Sequence, residues 1–260
     1  MNPAHPARRA PMNPHRTALA IAFAYFLAAA PATAADAALW VGRFDVRDGG
    51  IPPPWRIERL DERVPPTRYR LRVWDGVHAV EALASGSMAL LARPVEVDLH
   101  TTPVLCWRWR IDAPVAAADM RHKSGDDYAA RVYLSFELAP EQLDLATRAK
   151  LALGRLRYGK EVPGAAVNYV WDNRNPVDTV RDNAYTDRAR MFVLRSGSAQ
   201  AGRWITERRD VAADFRRAFG YPPARLQGLA IATDTDNTGG DAHAGFADFR
   251  FVAAEAACPG

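Results

Sequence analysis

Residues 105–136 alternate polar and apolar side chains in two separate runs, and this period of two constrains the fold more than any other feature of the chain. In a β-strand, successive side chains point to opposite faces. Arg108 and Arg110 therefore share one face of the first run, while Arg131 and Tyr133 share one face of the second. We predict that the two runs pair as a hairpin, which buries an apolar face and displays these four side chains as a ligand-binding surface.

Short β-type runs recur along the chain, and turn formers such as Asp75-Gly76 and Ser196-Gly197 separate nearly all of them. This pattern favours a mainly β fold, an antiparallel β-sandwich of the jelly-roll type found in carbohydrate-binding modules. Helical spacing predicts two short helices, at 140–158 and at 210–219, the second with Asp210 as its N-cap and Gly220 as its stop. The predicted strands are 39–44, 67–74, 78–84, 88–91, 104–111, 130–137, 166–171, 190–195, 202–207, 226–233 and 245–252.

The first 34 residues have the features of a secretory signal peptide, with Met12 as an alternative start. Arginines precede an apolar run at 18–30, and the small residues Ala32-Thr33-Ala34 follow it. The run is too short for a permanent membrane anchor. We therefore expect export to the periplasm or the cell exterior, with no transmembrane segment in the mature chain. Cleavage would leave residues 35–260 as a single domain, expected to be a monomer.

Removal of this leader changes the charge of the chain. The leader contains three arginines and no acidic residue, so the formal net charge falls from +4 to +1. A nucleic-acid-binding protein normally keeps a basic stripe, and a nearly neutral mature chain argues against that class. The sequence also contains no Walker loop, Gly-x-Ser-x-Gly motif or dinucleotide fingerprint, so none of the enzyme classes that these motifs mark is indicated.

The chain contains two cysteines, Cys106 and Cys258. In an oxidising compartment they are candidates for a disulfide bond that ties the C-terminal tail to a central strand. Bridging requires their Cα atoms to lie within about 7 Å, which a sequence does not establish. A buried free thiol at Cys106 is the alternative.

Several motifs together resemble one family of exported bacterial proteins. In chain order they are CWRWRI, GDDYAARVYLSF, NYVW, WITERRDVAADFRRAFG, IATDTDNTGG and AGFADFRF. The chain resembles the domain of unknown function 3047 over roughly residues 44–252. The resemblance implies an architecture and no reaction. A weaker similarity to carbohydrate-binding β-sandwiches rests on Phe44-Asp45 with Trp55 and on the strand around Asp248.

Oxygen ligands recur at alternate positions of residues 234–241, which we call the acidic turn. We expect a tight turn in which Asp and Asn side chains cap their own backbone. The alternative is a structural Ca²⁺, a hard cation that accepts carboxylate oxygens, held by Asp234 and Asp236 with Asp248 from the next strand.

Asp126 and Asp127 precede the second alternating run. We expect them to pair with arginines of the binding face, and we include both, together with Trp171, in the predicted ligand site. The alternative is an acid/base site formed with Glu207 or His122. Such a site requires two carboxyl groups about 5 to 10 Å apart in one cleft.

The leading functional hypothesis is a non-catalytic module that binds a glycan or another polyhydroxylated ligand, neutral or anionic. A carbohydrate-active hydrolase or lyase on the same scaffold is one alternative. A scaffold protein of the cell envelope, with a large exposed apolar patch and no small ligand, is another.

Overall fold

The alternating segments form two packed sheets in the computed structural model of the protein, which describes residues 38–45, 50–143, 145, 147–149, 151–152, 163–223 and 225–258. Strands make up most of the regular structure, and the fold is a β-sandwich with few short helices, as predicted. The predicted signal peptide lies outside the described residues. Residues Asp36–Gly260 form one compact unit. Among the described residues, no helix is long and apolar enough to cross a membrane.

The first sheet contains six strands within the described residues, in the order β11-β6-β13-β4-β3, with β1 also paired to β13. All of its pairs are antiparallel. Its strands are β1 (Leu39–Gly42), β3 (Arg68–Trp74), β4 (Val77–Ser85), β6 (Val104–Ile111), β11 (Ile205–Asp210) and β13 (Asp241–Val252).

The second sheet contains seven strands within the described residues, in the order β2-β5-β12-β7-β8-β10-β9. Its pairs are antiparallel except that β8 and β10 run parallel. Its strands are β2 (Arg56–Glu58), β5 (Leu90–Val97), β7 (Ala130–Glu137), β8 (Ala165–Asp172), β9 (Val180–Asn183), β10 (Thr186–Ser196) and β12 (Arg225–Ala232).

Aromatic rings fill the space between the sheets. Trp107 of the first sheet stacks on Tyr169 of the second, with ring centroids 5.4 Å apart, and Trp109 lies 5.9 Å from Trp171. All four side chains are almost completely buried. Trp107 and Trp109 therefore lie on the buried face of β6, opposite Arg108 and Arg110, as the period of two predicts. Large aromatic rings of this kind contribute much of the buried area of a core.

The predicted hairpin is wrong. β6 pairs with β11 and β13 in the first sheet, whereas β7 pairs with β12 and β8 in the second. Residues 112–129 connect them, a segment much longer than the roughly two to five residues of hairpin loops. Alternation of side chains determines which face each residue occupies, but it does not determine which strand lies alongside.

The helix α1 (Val211–Phe219) has the predicted ends. The side chain of Asp210 accepts a hydrogen bond of 2.8 Å from the backbone N–H of Ala213, and Gly220 adopts a left-handed conformation at the other end. Of the helix predicted at 140–158, Pro140–Gln142 forms a 3₁₀ turn, and most of the remainder lies outside the described residues.

Cys106 and Cys258 form a disulfide bond with their Cα atoms 5.6 Å apart. Cys106 is fully buried on β6, where Val104 and Val252 pack beside it. The bond attaches the C-terminal tail to the middle of the first sheet.

Candidate functional site

A groove of about 880 Å³ lies on the outer face of the second sheet. Its floor includes Leu90, Ala92, Arg131, Tyr133, Asn168 and Ala230, and we use the term groove for the cavity above these residues. β7 contributes polar side chains to the floor because it directs Val132, Leu134 and Phe136 into the core, which leaves Arg131 and Tyr133 on the opposite face. Arg131 and Tyr133 thus share a face, within a cavity of the size that small-molecule ligands occupy.

The strand register shows how the groove is arranged. Tyr133 lies opposite Ala230 on one side and opposite Asn168 on the other. Arg131, two residues before Tyr133 on β7, lies at the end of the groove that Asp126, Asp234 and Asp236 line. Arg225 and Gln227 line it beyond the opposite end of the same strands. Acidic groups are therefore concentrated at one end.

Arg131 lies between two carboxylates at this acidic end. Its Nη1 is 3.4 Å from Asp126 and 3.3 Å from Asp234, and all three residues are more than nine-tenths buried. The amide of Asn183 donates a hydrogen bond of 2.9 Å to Asp126. Burial raises the pKa of Asp234 well above its usual value, and the neighbouring Asp126 and Asp127 reinforce this effect while Arg131 opposes it.

Three polar atoms on the floor have no partner among the described residues. They are the Nε of Arg131 and both Oδ1 and Nδ2 of Asn168. Asn168 is fully buried, and 4% of Arg131 is exposed. Buried polar groups in folded proteins are nearly always hydrogen-bonded, so these atoms require partners that the protein itself does not supply.

The acidic turn is held by Asp127, which belongs to another segment of the chain. Asp127 accepts backbone hydrogen bonds from Asn237, at 3.2 Å, and Thr238, at 2.7 Å, so a carboxylate from another segment caps the turn. One oxygen each from Asp127, Asp234 and Asp236 lies within 4.8 Å of the others. Asp236 is half-buried, and burial together with Asp127 raises its pKa. These three carboxylates form a compact cluster of oxygen atoms. Asp127 is a member of the cluster, whereas Asp248, the third residue named from the sequence, is not.

One protein-family model, described as "Protein of unknown function (DUF3047)", matches residues 53–250, which is most of the chain. The chain belongs to this family. The family description names no activity, and no curated protein matches this DUF3047 chain.

Solved structures include similar chains. The xyloglucanase domain of NopAA, a type three effector from Sinorhizobium fredii in complex with cellobiose, is similar at 10% sequence identity and a TM-score of 0.39. The match covers 76% of the DUF3047 chain and 92% of the other chain.

The structure separates several predicted site residues from the groove of this DUF3047 protein. Arg108 forms an ion pair with Asp248 on the first sheet, so Asp248 is not a member of the Asp127, Asp234 and Asp236 group. Arg110 pairs with Asp75 on that same sheet, and its guanidinium lies 4.1 Å from the ring centre of Trp74. The cause is the separation of β6 from β7, which places their arginine-bearing faces on different sheets.

Trp171 belongs to the core and not to the ligand site. It faces Trp109, and its Nε1 donates a hydrogen bond of 2.9 Å to the carbonyl of Gly197. Asp127 is likewise committed to the acidic turn, whereas its neighbour Asp126 lines the groove.

The predicted acid/base partners of these aspartates lie elsewhere. Glu207, on β11 of the first sheet, accepts hydrogen bonds from Trp109 Nε1 at 2.9 Å and Arg195 Nε at 2.6 Å. His122 is exposed and precedes the 3₁₀ turn Lys123–Gly125. Glu207 therefore does not form a carboxyl pair with Asp126 or Asp127 in the groove.

Sequence reasoning missed Asn183 as a site residue because β9, the strand that ends with it, was not predicted. Asn168 also lines the groove. Its signal in the sequence is an amide within the largely apolar strand β8, AAVNYVWD, because a buried Asn needs hydrogen-bond partners.

Proposed function

We propose that this protein is a non-catalytic module that binds a glycan or another polyhydroxylated ligand in the groove of the second sheet. The observation that supports this most is that the amide of Asn168 on β8 and the Nε of Arg131 on the neighbouring strand β7 are both unpartnered on the same floor. An unsatisfied buried polar group costs about 1 to 3 kcal/mol. Hydroxyl groups of a ligand, which both donate and accept hydrogen bonds, would recover this cost.

Two tyrosines add apolar surface to the same groove. Tyr133 is half-buried on the floor, and Tyr185, 54% exposed, lies at the acidic end. A tyrosine side chain combines a flat apolar ring with a polar hydroxyl group. This combination suits a sugar ring, which has apolar C–H groups and polar hydroxyl groups. The proposal thus combines hydrogen-bonding groups with stacking surfaces in one cavity.

Binding is favoured over hydrolysis because the two buried carboxylates of the groove, Asp126 and Asp234, are already engaged. Asp126 and Asp234 contact the same guanidinium nitrogen of Arg131, and each accepts a further hydrogen bond, from Asn183 and from the backbone of Tyr128 respectively. Buried carboxylates that are paired in this way position a binding residue well. They do not present the two accessible carboxyl groups that most glycosidases need.

The test is binding of the mature chain, residues 35–260, to immobilised polysaccharides, compared with two variants. Asn168→Leu removes the unpartnered amide, and we expect at least a tenfold loss of affinity. Arg108→Ala alters a predicted ligand contact that lies on the other sheet, and we expect no loss. If Asn168→Leu binds as tightly as the unaltered chain, or if no polysaccharide binds at all, the proposal fails.

Export and Ca²⁺ binding remain predictions. The disulfide bond supports export, because such bonds persist in oxidising compartments. The oxygen cluster of Asp127, Asp234 and Asp236 supports a cation, although with a different ligand set from the one predicted.

A further inference from the structure

We propose that the groove is specific for uncharged glycans, binding an adjacent pair of hydroxyl groups at Asn168 and Arg131 and excluding uronate, sulfated and phosphorylated sugars. This inference rests on the proposed function and narrows the class of ligand. It follows from the hydrogen-bonding capacity of the floor and from the distribution of charge in the groove.

The three unpartnered atoms differ in what they require. Asn168 Nδ2 and Arg131 Nε are donors, whereas Asn168 Oδ1 is an acceptor. Two neighbouring hydroxyl groups satisfy all three, since one donates to Oδ1 while both accept from the nitrogens. A carboxylate, sulfate or dianionic phosphate only accepts, so it would leave Oδ1 of Asn168 unpaired. Leaving one buried acceptor unpaired is costly, which favours the hydroxyl pair.

The charge at the acidic end opposes an anion in a second way. Arg131 faces two carboxylates, Asp126 and Asp234, and Asp236 adds a third acidic group that is partly exposed to the groove. An anionic sugar held on the floor would therefore approach a net negative surface in a partly desolvated site, where electrostatic repulsion is stronger than in water.

The other arginines of the groove are not positioned to offset this charge. Arg56 pairs with Glu58 at 2.6 Å, and Arg225 pairs with Glu137 at 2.7 Å. Arg93 donates hydrogen bonds to two backbone carbonyls, those of Val41 and Pro94. Each cation that lines the groove thus already has acceptors within the protein.

The experiment uses chemically matched ligands, so that only charge differs. Binding to polygalacturonate is compared with binding to its fully methyl-esterified form, and alginate with its propylene glycol ester, all in EDTA at low ionic strength. Hydroxyethyl cellulose, xylan and galactomannan serve as neutral ligands. We expect every polysaccharide that binds to be uncharged, and at least a tenfold preference for the ester where an ester binds.

Two variants test the residues. Asn168→Asp keeps the shape of the side chain but replaces its donor with a second acceptor, and we expect at least a tenfold loss of binding to neutral polysaccharides. Asp236→Asn removes one negative charge, and we expect the ratio of neutral to acidic polysaccharide affinity to decrease. A far-ultraviolet circular dichroism spectrum identical to that of the unaltered chain shows that each variant is folded.

The outcomes separate the two proposals. Binding of an acidic polysaccharide as tightly as its neutral ester, sensitive to Asn168→Leu, would overturn the preference for uncharged glycans and leave the glycan-binding function intact. Binding of no polysaccharide, neutral or acidic, would overturn the proposed function itself. Unchanged neutral binding in Asn168→Asp would overturn the assignment of the hydroxyl pair to this residue.

Discussion

Asp126 and Asp127 are adjacent in the chain, but their side chains bond to different parts of the molecule. Asp126 contacts Arg131 in the groove at 3.4 Å, and Asp127 accepts the backbone N–H groups of Asn237 and Thr238 in the acidic turn. One short segment thereby positions the guanidinium of Arg131 and also holds the turn beside it.

Replacement of Arg131 by Met should be strongly destabilising, because it leaves Asp126 and Asp234 buried without their common cation. Loss of one member of a buried ion pair costs about 3 to 5 kcal/mol. Urea unfolding at pH 7 measures the change. Arg108→Met is the control, since its pair with Asp248 is more exposed and we expect a loss of about 1 kcal/mol or less. Equal losses in the two variants would contradict the prediction.

Asn168→Leu should stabilise the free protein by about 1 kcal/mol while it abolishes ligand binding, because it replaces two unpartnered buried atoms with apolar ones. The same substitution at Asn183 removes a hydrogen bond to Asp126 and should be destabilising. Thermal unfolding of both variants without ligand is the measurement. A destabilised Asn168→Leu would show that the amide has a structural role.

Asp236→Asn should make stability less dependent on pH. The pKa of Asp236 is raised in the folded protein, so the folded state binds this proton more tightly than the unfolded state, and ionisation is destabilising. The contribution is fully present below the usual pKa of an Asp side chain, 3.8, and is lost as pH rises through the raised pKa. In EDTA at pH 7 we expect the variant to have a higher Tm than the unaltered chain. The difference should disappear near pH 3.5, and a constant difference would refute this account.

Excess Ca²⁺ should raise the Tm of the unaltered chain if the predicted cation site exists, because a ligand that binds only the folded state stabilises it, by about 2.7 kcal/mol at 100 times its Kd. Asp236→Asn should lose this response, since Asp236 belongs to the oxygen cluster. Asp248→Asn should retain it, because that residue pairs with Arg108. A response lost in both variants would favour the ligand set predicted from sequence, which contains both residues.

Reduction of the Cys106–Cys258 bond should lower the free energy of unfolding, because the bond closes a loop of 152 residues in the unfolded chain. The loop-entropy relation sets an upper value of about 5 kcal/mol. Urea unfolding with and without dithiothreitol measures the effect. Cys258→Ser should be as unstable as the reduced chain and insensitive to dithiothreitol. Sensitivity of that variant to the reductant would point to another cause.

Periodicity predicted the faces of individual strands well. β7 places Arg131 and Tyr133 on the face opposite its apolar side chains, and β6 buries Trp107 and Trp109, as expected from residues 105–136. The period does not depend on the neighbouring strand, so it gave no information on which strands pair. Local signals at Asp210 and Gly220 were similarly sufficient for the ends of α1.

The parts of the site that were missed depend on distant segments. β2 and β9 are short, and β9, with the sequence VRDN, has too few apolar residues to reveal a strand. Asn183 is hydrogen-bonded to Asp126, from which it is separated by 57 positions in the sequence. Asp234 contacts Arg131 at a separation of 103 positions. Such contacts arise from the order of strands in the sheet, which the sequence pattern of any one segment does not contain.

The strand order also determines when the molecule is able to fold. β12 lies between β5 and β7, and β13 lies between β4 and β6, so the last two strands occupy interior positions in both sheets. In a nascent chain that ends before Arg225, the edges of β4, β5, β6 and β7 that pair with the last two strands would have no partner. Open strand edges promote association with other chains. Completion of either sheet must wait until nearly all residues are available. We therefore expect C-terminal truncation before β12 to yield aggregates in place of a smaller folded protein.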